Sequence, residues 1–215
     1  MCLLFLIIAA ALKRELSFSI QLGNKTAVNE KKFAPETKAE TNMLKGTELS
    51  IAGELFNNRN PKNELNISES VKIAYLKRFA QTAVNEQKKF GIPASITLSI
   101  AFLQSKSGTS ERSKRANNHF DLLVTSDWKG GSDNFDNLNF RKYDNAWLSF
   151  RDHSLYLTSG IFSELKNSDT TNYKTWLNNL QKLGYANNSK SFIKEIQETI
   201  EKYKLYRLDG KKFLN

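Results

Sequence analysis

Apolar residues repeat at helical spacing from Ser68 to Tyr203, and this pattern restricts most of the chain to a helical fold. Ser68 suits the cap of a first helix and Gly91 its end, and Pro93 fits the first turn of the next helix. The predicted apolar stripes are Ile73, Leu76, Phe79, Ala80, Ala83 and Val84 in the first helix, and Ile96, Ile100 and Leu103 in the second. Later stripes are Trp147, Phe150 (or Arg151), Ser154 and Leu157 after a cap at Asp144; Tyr173, Trp176, Leu177 and Leu180 before Gly184; and Phe192, Ile196, Ile200 and Tyr203 after Ser189.

The segment from about His119 to Tyr143 has a different character. Its aromatic residues are separated by "KGGSDNFDN", which is rich in turn-forming residues. This composition predicts a small antiparallel hairpin, and a short helix over Ser110–Ala116 precedes it. The fold class that follows is α+β: a mostly helical domain over residues 67–209 with one small β lobe, followed by a tail over 210–215.

The N-terminal third of the chain resembles neither part. Residues 13–66 are rich in Asn, Lys, Glu and Thr without a sustained period, which predicts a tether or disordered arm. The first twelve residues, MCLLFLIIAAAL, match the apolar region of a signal peptide but lack its preceding charges. Two explanations stay open: the true start lies upstream and the protein is exported, or the segment is an ordinary buried one. Export is the favoured expectation, and a membrane tether at the N-terminus is an open alternative.

Charge and ligand-forming residues narrow the partners. The net charge is +10, which suits an anionic partner such as a cell-wall polymer, a membrane surface or nucleic acid. The charge is diffuse and no nucleic-acid motif is visible, so nucleic acid is the least favoured. One cysteine, Cys2, and two histidines, His119 and His153, are too few for a disulfide framework or a histidine-based zinc site. No metal is expected.

Five ordered segments carry a resemblance to a known family. They are "FGIPASITLSIAFLQS", "SGTSERSKRANNHFDL", "DWKG", "FRKYDNAWLSFRDHSLYL" and "LQKLGYANNSKSFIKEI". Together they resemble the peptidoglycan-cleaving glucosaminidase domain of glycoside hydrolase family seventy-three, over about residues 72–209. The resemblance implies a lysozyme-like fold with a cleft between the helical lobe and the β lobe. It also implies action without a cofactor on the β-1,4 linkage after N-acetylglucosamine in peptidoglycan.

The resemblance places a glutamine at the family's proton-donor position. In the family, the helix segment ends in "LES", and its glutamate is the general acid; here the segment reads "FLQS", so Gln104 occupies that position. An amide has no acidic proton to deliver near neutral pH, and a general acid contributes about 10²–10⁴-fold in rate. Lys106 stands where the family usually has glycine. It is expected either to pair with a wall carboxylate or to be a solvated lysine at a helix end.

The family's second acidic position also departs from the pattern. Counting back from Phe140 places Leu138 there, which has no acid–base chemistry. Asp133 and Asp136 lie nearby and would serve if the hairpin register shifted; otherwise both are turn residues. Glu111 matches a family position and is expected to cap or orient the short helix.

The glycan-contacting positions of the family are better preserved. The resemblance assigns cleft positions to Asn118, His119, Trp128, Tyr143 and Tyr185. Aromatic rings stack on sugars and polar tips orient them, which is the expected role of these residues. His119 is alternatively a structural histidine, and Trp128 alternatively holds the β lobe together. Trp147, Phe150 and Trp176 fit helical stripes and are expected in the core.

Three functions follow. The favoured hypothesis is a glycan-binding domain that grips N-acetylglucosamine-containing peptidoglycan with hydrolysis lost or much reduced. The alternative is an active endo-β-N-acetylglucosaminidase that uses a shifted acid, Asp133 or Asp136. The third is a binder of nucleic acid or another anionic surface, which only the net charge supports. The expected location for the first two is the bacterial cell envelope.

Overall fold

A computed structural model of the chain describes residues 67–185 and 189–210. The predictions for residues 1–66 and 211–215 lie outside the described residues. Within them, the α-helices are α1 (Glu69–Phe90), α2 (Ala94–Gln104), α3 (Glu111–Ala116), α4 (Ala146–Tyr156), α5 (Tyr173–Lys182) and α6 (Lys190–Lys202). The strands β1 (Gly131–Phe135) and β2 (Leu138–Lys142) separate α3 from α4, and 3₁₀ helices span Gly160–Asn167 and Leu205–Leu208. The predicted α+β class is confirmed.

The central helix α2 forms the middle of the main core. Ten of its eleven residues are buried, and α1, α4, α5 and α6 pack around it. Its sequence is apolar on all sides, as expected for a helix that has protein on every face. The predicted core residues Phe150 and Trp176 are both fully buried. The core therefore fixes the position of Gln104, the last residue of α2.

The β lobe is a single hairpin with a small core of its own. The strands pair antiparallel, with Phe135 opposite Leu138 and Asp133 opposite Phe140. Asp136 and Asn137 form the turn with φ of 52° and 64°, which is the left-handed geometry of a two-residue type I′ turn. Ala116, Leu123, Phe135 and Phe140 make the buried cluster beneath it.

Three details of the sequence prediction are wrong. Asn145, not Asp144, caps α4, since its side chain accepts a hydrogen bond from the backbone N–H of Leu148. Ile73 is 40% exposed, because it lies near the start of α1 where the helix has no apolar partner to cover it. Trp147 is half-buried, and its indole stacks on the Arg151 guanidinium, 4.6 Å away, rather than entering the core.

The N-terminus of α2 is capped from the far end of the domain. Its own N-cap residue, Pro93, has no side-chain hydrogen bond. Asp209 supplies one instead: its carboxylate accepts from the Ser95 N–H at 2.8 Å and from the Ser95 hydroxyl at 2.6 Å. Gln87 also donates to the Asp209 carbonyl at 3.0 Å. The end of the domain is thereby fastened to its central helix.

We expect Asp209→Ala to lower the free energy of unfolding by about 2 kcal/mol, because it leaves two buried donors without an acceptor. Urea unfolding at pH 7 measures this. Asp169→Ala is the matched control, since Asp169 accepts similar hydrogen bonds from Thr171 in an exposed turn. An equal loss in the two variants would show that the Asp209 cap contributes nothing special.

Candidate functional site

Gln104 is a buried side chain with an unmet hydrogen-bonding group. Its side chain ends α2 and is only 2% exposed. Among the described residues, its amide oxygen Oε1 is buried and has no hydrogen-bond partner. A buried acceptor without a donor costs about 1–3 kcal/mol, so such atoms in folded proteins deserve a functional explanation.

The turn after α2 packs against Tyr75 and His119. Gly108, with φ of 76°, packs so closely that an added Cβ would lie 3.0 Å from the Tyr75 ring and 4.0 Å from the imidazole of His119. Tyr75 and His119 share a hydrogen bond of 2.8 Å between the hydroxyl and Nδ1. Gly108 in this turn therefore lies beside the hydrogen-bonded pair of Tyr75 and His119.

Lys106 lies in the same turn in an unusual backbone conformation. Its φ is 50°, in the left-handed region that glycine adopts freely and a lysine adopts at a cost. The turn around it is well bonded: Ser107 N–H donates to the Phe102 carbonyl at 2.8 Å, and Gly108 N–H donates to the Ser105 hydroxyl at 2.9 Å. The chain thus keeps the glycine-like backbone of the position while presenting a half-exposed cationic side chain.

Asn118 and His119 are both engaged inside the protein. The Asn118 amide donates to the carbonyls of Leu122 and Arg141 and accepts from the N–H groups of Phe120 and Leu122. It is fully buried, so it holds the loop between α3 and the hairpin. Burial, and then the nearby Arg78 charge, lower the pKa of His119 to about 4, so its imidazole is neutral at pH 7.

The aromatic residues form two internally bonded groups. Trp128 is half-buried, donates through Nε1 to the Gly131 carbonyl, and has its ring centroid 5.6 Å from that of Tyr143. The Tyr143 hydroxyl donates to Asp152 at 2.6 Å, and Arg141 lies over the indole of Trp128. Tyr185 is 4% exposed and shares a hydrogen bond of 3.2 Å with His153. Of the predicted aromatic contacts, Trp128 has the most accessible ring.

Asp133 and Asp136 are bound by arginines of α3. The Asp133 carboxylate accepts two hydrogen bonds, of 2.9 and 3.1 Å, from Arg115. Asp136 is 87% exposed at the hairpin turn and lies 3.8 Å from Arg112. Neither carboxylate has the apolar surroundings that keep a general acid protonated. In the hairpin, Leu138 lies opposite Phe135 and Asp133 lies opposite Phe140.

Sequence reasoning missed two charged clusters of this region. Asp121 has φ of 50° and binds Arg112 through two hydrogen bonds, of 2.7 and 3.0 Å. A signal existed, because the family motif has glycine where "NNHFDL" has Asp121. Arg141 and Asp152, the second cluster, are 3.0 Å apart. Their pairing links "FRKY" to "SFRDH", a contact between strand and helix that spacing alone does not reveal.

Comparison with known proteins decides the family. The family model described as mannosyl-glycoprotein endo-beta-N-acetylglucosaminidase, or Glucosaminidase, matches residues 80–205. The chain belongs to the glucosaminidase family. That match lies inside the domain predicted over residues 67–209, and it includes Gln104, Lys106 and the other candidate site residues. No curated protein matches the chain significantly.

Solved structures agree with this glucosaminidase fold. The N-acetylmuramoyl-L-alanine amidase of Staphylococcus aureus is 23% identical with a TM-score of 0.58, over 69% of this chain and 46% of that one. The glycoside hydrolase domain of FlgJ from Salmonella typhimurium is 21% identical with a TM-score of 0.52, over 62% and 88%. The catalytic domain of the autolysin Auto from Listeria monocytogenes is 18% identical with a TM-score of 0.53, over 81% and 99%. At these identities the likeness shows the fold alone, and this chain spans less than half of the amidase.

Membrane-spanning and metal-binding features are not found in the glucosaminidase domain. No helix within residues 67–185 and 189–210 is long and apolar enough to cross a bilayer. The same residues contain no cluster of three His, Cys, Asp or Glu side chains that would hold a metal ion.

The two buried histidines predict a loss of stability in acid. Burial lowers the pKa of His153 to about 3, as it lowers that of His119 to about 4. A histidine of the unfolded chain has a pKa of about 6.5, so it takes up a proton at a higher pH than the same histidine in the folded chain. The free energy of unfolding therefore falls as the pH falls from about 6.5 towards 4. Burial raises the pKa of Asp209 to about 6, which has the opposite sign and adds stability as the pH falls from 6 to 4.

We expect the free energy of unfolding at pH 5 to be about 3 kcal/mol lower than at pH 7. Each of the two histidines lowers it by about 2 kcal/mol over this range, and Asp209 raises it by about 1 kcal/mol. Urea unfolding at the two pH values measures the difference. Nuclear magnetic resonance titration of the imidazoles tests the cause separately. Titration midpoints near 6.5 for both histidines would contradict this account.

Proposed function

We propose that this glucosaminidase-family domain binds N-acetylglucosamine-containing peptidoglycan glycan and that its hydrolysis is lost or much reduced. The observation that carries the proposal is Gln104, an amide at the position where the family has its catalytic glutamate. Among the described residues, its amide oxygen has no hydrogen-bond partner. Glycoside cleavage requires a proton for the leaving oxygen, which the amide does not supply.

Site assignments within this proposal follow from exposure. Trp128 contributes the accessible aromatic surface, and its indole is held rigidly because Gly130 lies against it: an added Cβ there would be 2.2 Å from the ring. Tyr143 and Tyr185 contribute ring edges and support, since both are almost fully buried. Asn118 and His119 shape the wall behind the turn after α2. The proposed place of action is the cell envelope, where the substrate of the family is found.

The alternative function, cleavage through Asp133 or Asp136, is disfavoured by their arginine partners. An acid that has moved must still be kept protonated before it acts, which calls for an apolar setting. Arg115 and Arg112 instead engage these two carboxylates in ion pairs. This alternative would regain support only from activity of the unaltered protein.

Sedimentation with purified sacculi tests the proposal. We expect the protein to pellet with sacculi and to be displaced by soluble N-acetylglucosamine-containing oligosaccharides, without releasing reducing ends. Trp128→Ala should weaken this binding by about 5-fold, since an aromatic contact contributes about 1 kcal/mol. Failure to pellet would refute the proposed binding. Activity that disappears in Asp133→Asn or Asp136→Asn would establish the alternative.

A further inference from the structure

A single guanidinium group joins the loop that carries Trp128 to β2 and α4. Arg141 of β2 donates through Nε to the Leu123 carbonyl at 2.8 Å and through Nη2 to the Thr125 hydroxyl at 3.0 Å. Its Nη1 donates to the Asp152 carboxylate of α4, also at 3.0 Å. These bonds use the planar fork of donors that distinguishes arginine from lysine. The guanidinium therefore connects separate segments of the chain at one point.

The indole of Trp128 packs on this guanidinium. Arg141 Cζ lies 4.9 Å from the ring centroid, within the range of a cation–π contact. The Tyr143 ring lies 5.6 Å from the indole at an interplanar angle of 69°. The Tyr143 hydroxyl donates at 2.6 Å to Asp152 Oδ2, the same oxygen that accepts from Arg141. One carboxylate thus holds both of these groups against the indole.

A second arginine of the β lobe makes similar bonds with a different outcome. Arg112 binds Asp121 through two hydrogen bonds and lies 4.9 Å from the ring centroid of Phe140. Phe140 is fully buried, so Arg112 only packs the hairpin against α3. The ring over Arg141 is instead half-buried and keeps part of its surface accessible. The two guanidinium groups therefore differ in what they support.

We propose that Arg141 is a positioning residue for glycan binding. It holds the Trp128 indole in the orientation in which the accessible part of the ring stacks on a sugar, and Asp152 and Tyr143 fix the guanidinium in turn. An indole that is ordered before binding loses less conformational entropy when the ligand arrives. The inference rests on the proposed glycan binding and identifies what organises its aromatic contact.

A double-mutant cycle measured by sedimentation with sacculi tests this role. Arg141→Lys keeps the positive charge but removes the fork of donors, and it should weaken binding about 3-fold, roughly the cost of ordering one side chain on binding. Trp128→Ala alone should weaken binding about 5-fold. The double variant should also lose about 5-fold, because Arg141 acts through the indole; independent contributions would give about 15-fold.

The indole N–H of Trp128 separates positioning from binding. It donates to the Gly131 carbonyl at 2.9 Å, so its exchange with water reports how firmly the indole is held. In the ¹⁵N-labelled protein, Trp128→Phe identifies its resonance among those of the three tryptophans. Arg141→Lys and Tyr143→Phe should both accelerate this exchange and leave that of the buried Trp176 unchanged. Tyr143→Phe removes only a hydroxyl group, and it replaces Arg141→Lys in the cycle if that variant does not fold.

Arg112→Lys is the matched control, since it makes the same substitution beneath a buried ring. It should leave both sacculus binding and the exchange of the Trp128 indole N–H unchanged. Equal effects of Arg112→Lys and Arg141→Lys would overturn the inference, because they would show a general loosening of the β lobe.

Other outcomes distinguish this inference from the proposed function. A loss of about 15-fold in the double variant would overturn the inference alone, as would unchanged binding by folded Arg141→Lys or unchanged indole exchange in both variants. Failure of the unaltered protein to bind sacculi would overturn the proposed function, and this inference with it.

Discussion

Gln104→Glu is expected to raise reducing-end release from sacculi by about 10²–10⁴-fold over the unaltered protein, the usual contribution of a general acid. The reason is local: the side chain of Gln104 is only 2% exposed, and burial raises the pKa of a carboxylic acid towards the working pH. A glutamate there would occupy nearly the same volume as the glutamine, so the helix end need not rearrange.

The matched control for this gain is Gln181→Glu. It introduces the same carboxylate at a half-buried position of α5, away from the turn after α2, and should leave release at the level of the unaltered protein. A folded Gln104→Glu variant that binds sacculi but shows no gain would mean that more than the acid has been lost. Leu138, which the resemblance places at the family's second acidic position, would be the next residue to change.

Glu86→Ala is expected to cause the largest loss of stability of any single change considered, about 3 kcal/mol in the free energy of unfolding. Glu86 is fully buried on α1, and its carboxylate binds Arg151 of α4 through three hydrogen bonds of 2.9 to 3.1 Å. The Arg151 guanidinium is also packed between Phe90 and Trp147, at 5.2 and 4.6 Å from their rings. Removing the carboxylate leaves that cation largely buried without its counterion.

Two further variants define the origin of this loss. Glu198→Ala removes the exposed ion pair with Lys194 and should cost less than about 0.5 kcal/mol. The double variant Glu86→Leu with Arg151→Met should recover most of the stability, because apolar replacement of a buried pair is often neutral. Equal losses in Glu86→Ala and Glu198→Ala, measured by urea unfolding, would show that the buried ion pair between α1 and α4 contributes no more to stability than an exposed one.

The helices were predictable because their signal is local. The cap at Ser68, the helix start at Ser189 and the ends at Gly91 and Gly184 follow from residue type and position, and the structure confirms them. The cap of α3 is Ser110, whose hydroxyl accepts from the Ser113 N–H, and not Glu111. Periodicity identifies the apolar face of a helix but not how much of that face other elements bury. For this reason Ile73 and Trp147 were predicted to be buried in the core, although the structure leaves both partly exposed.

The candidate site was only partly predictable, because its charges are arranged by tertiary contacts. Gln104 and Lys106 were identified because the order of the segments resembles that of the family, and not from hydrophobic periodicity or composition. The arginine partners of Asp133 and Asp136 come from α3, 18 and 24 residues away in the chain, and only the docking of helix against hairpin reveals them. The burial of Tyr143 and Tyr185 likewise depends on packing rather than on sequence spacing.

The most direct test of the central claim is reducing-end release per molecule of sacculus-bound protein, for the unaltered chain and for Gln104→Glu side by side. We predict that equal amounts of the two proteins bind and that only Gln104→Glu releases products above a protein-free blank. Release by the unaltered protein at a rate equal to that of Gln104→Glu would contradict the claim that Gln104 has replaced a required acid.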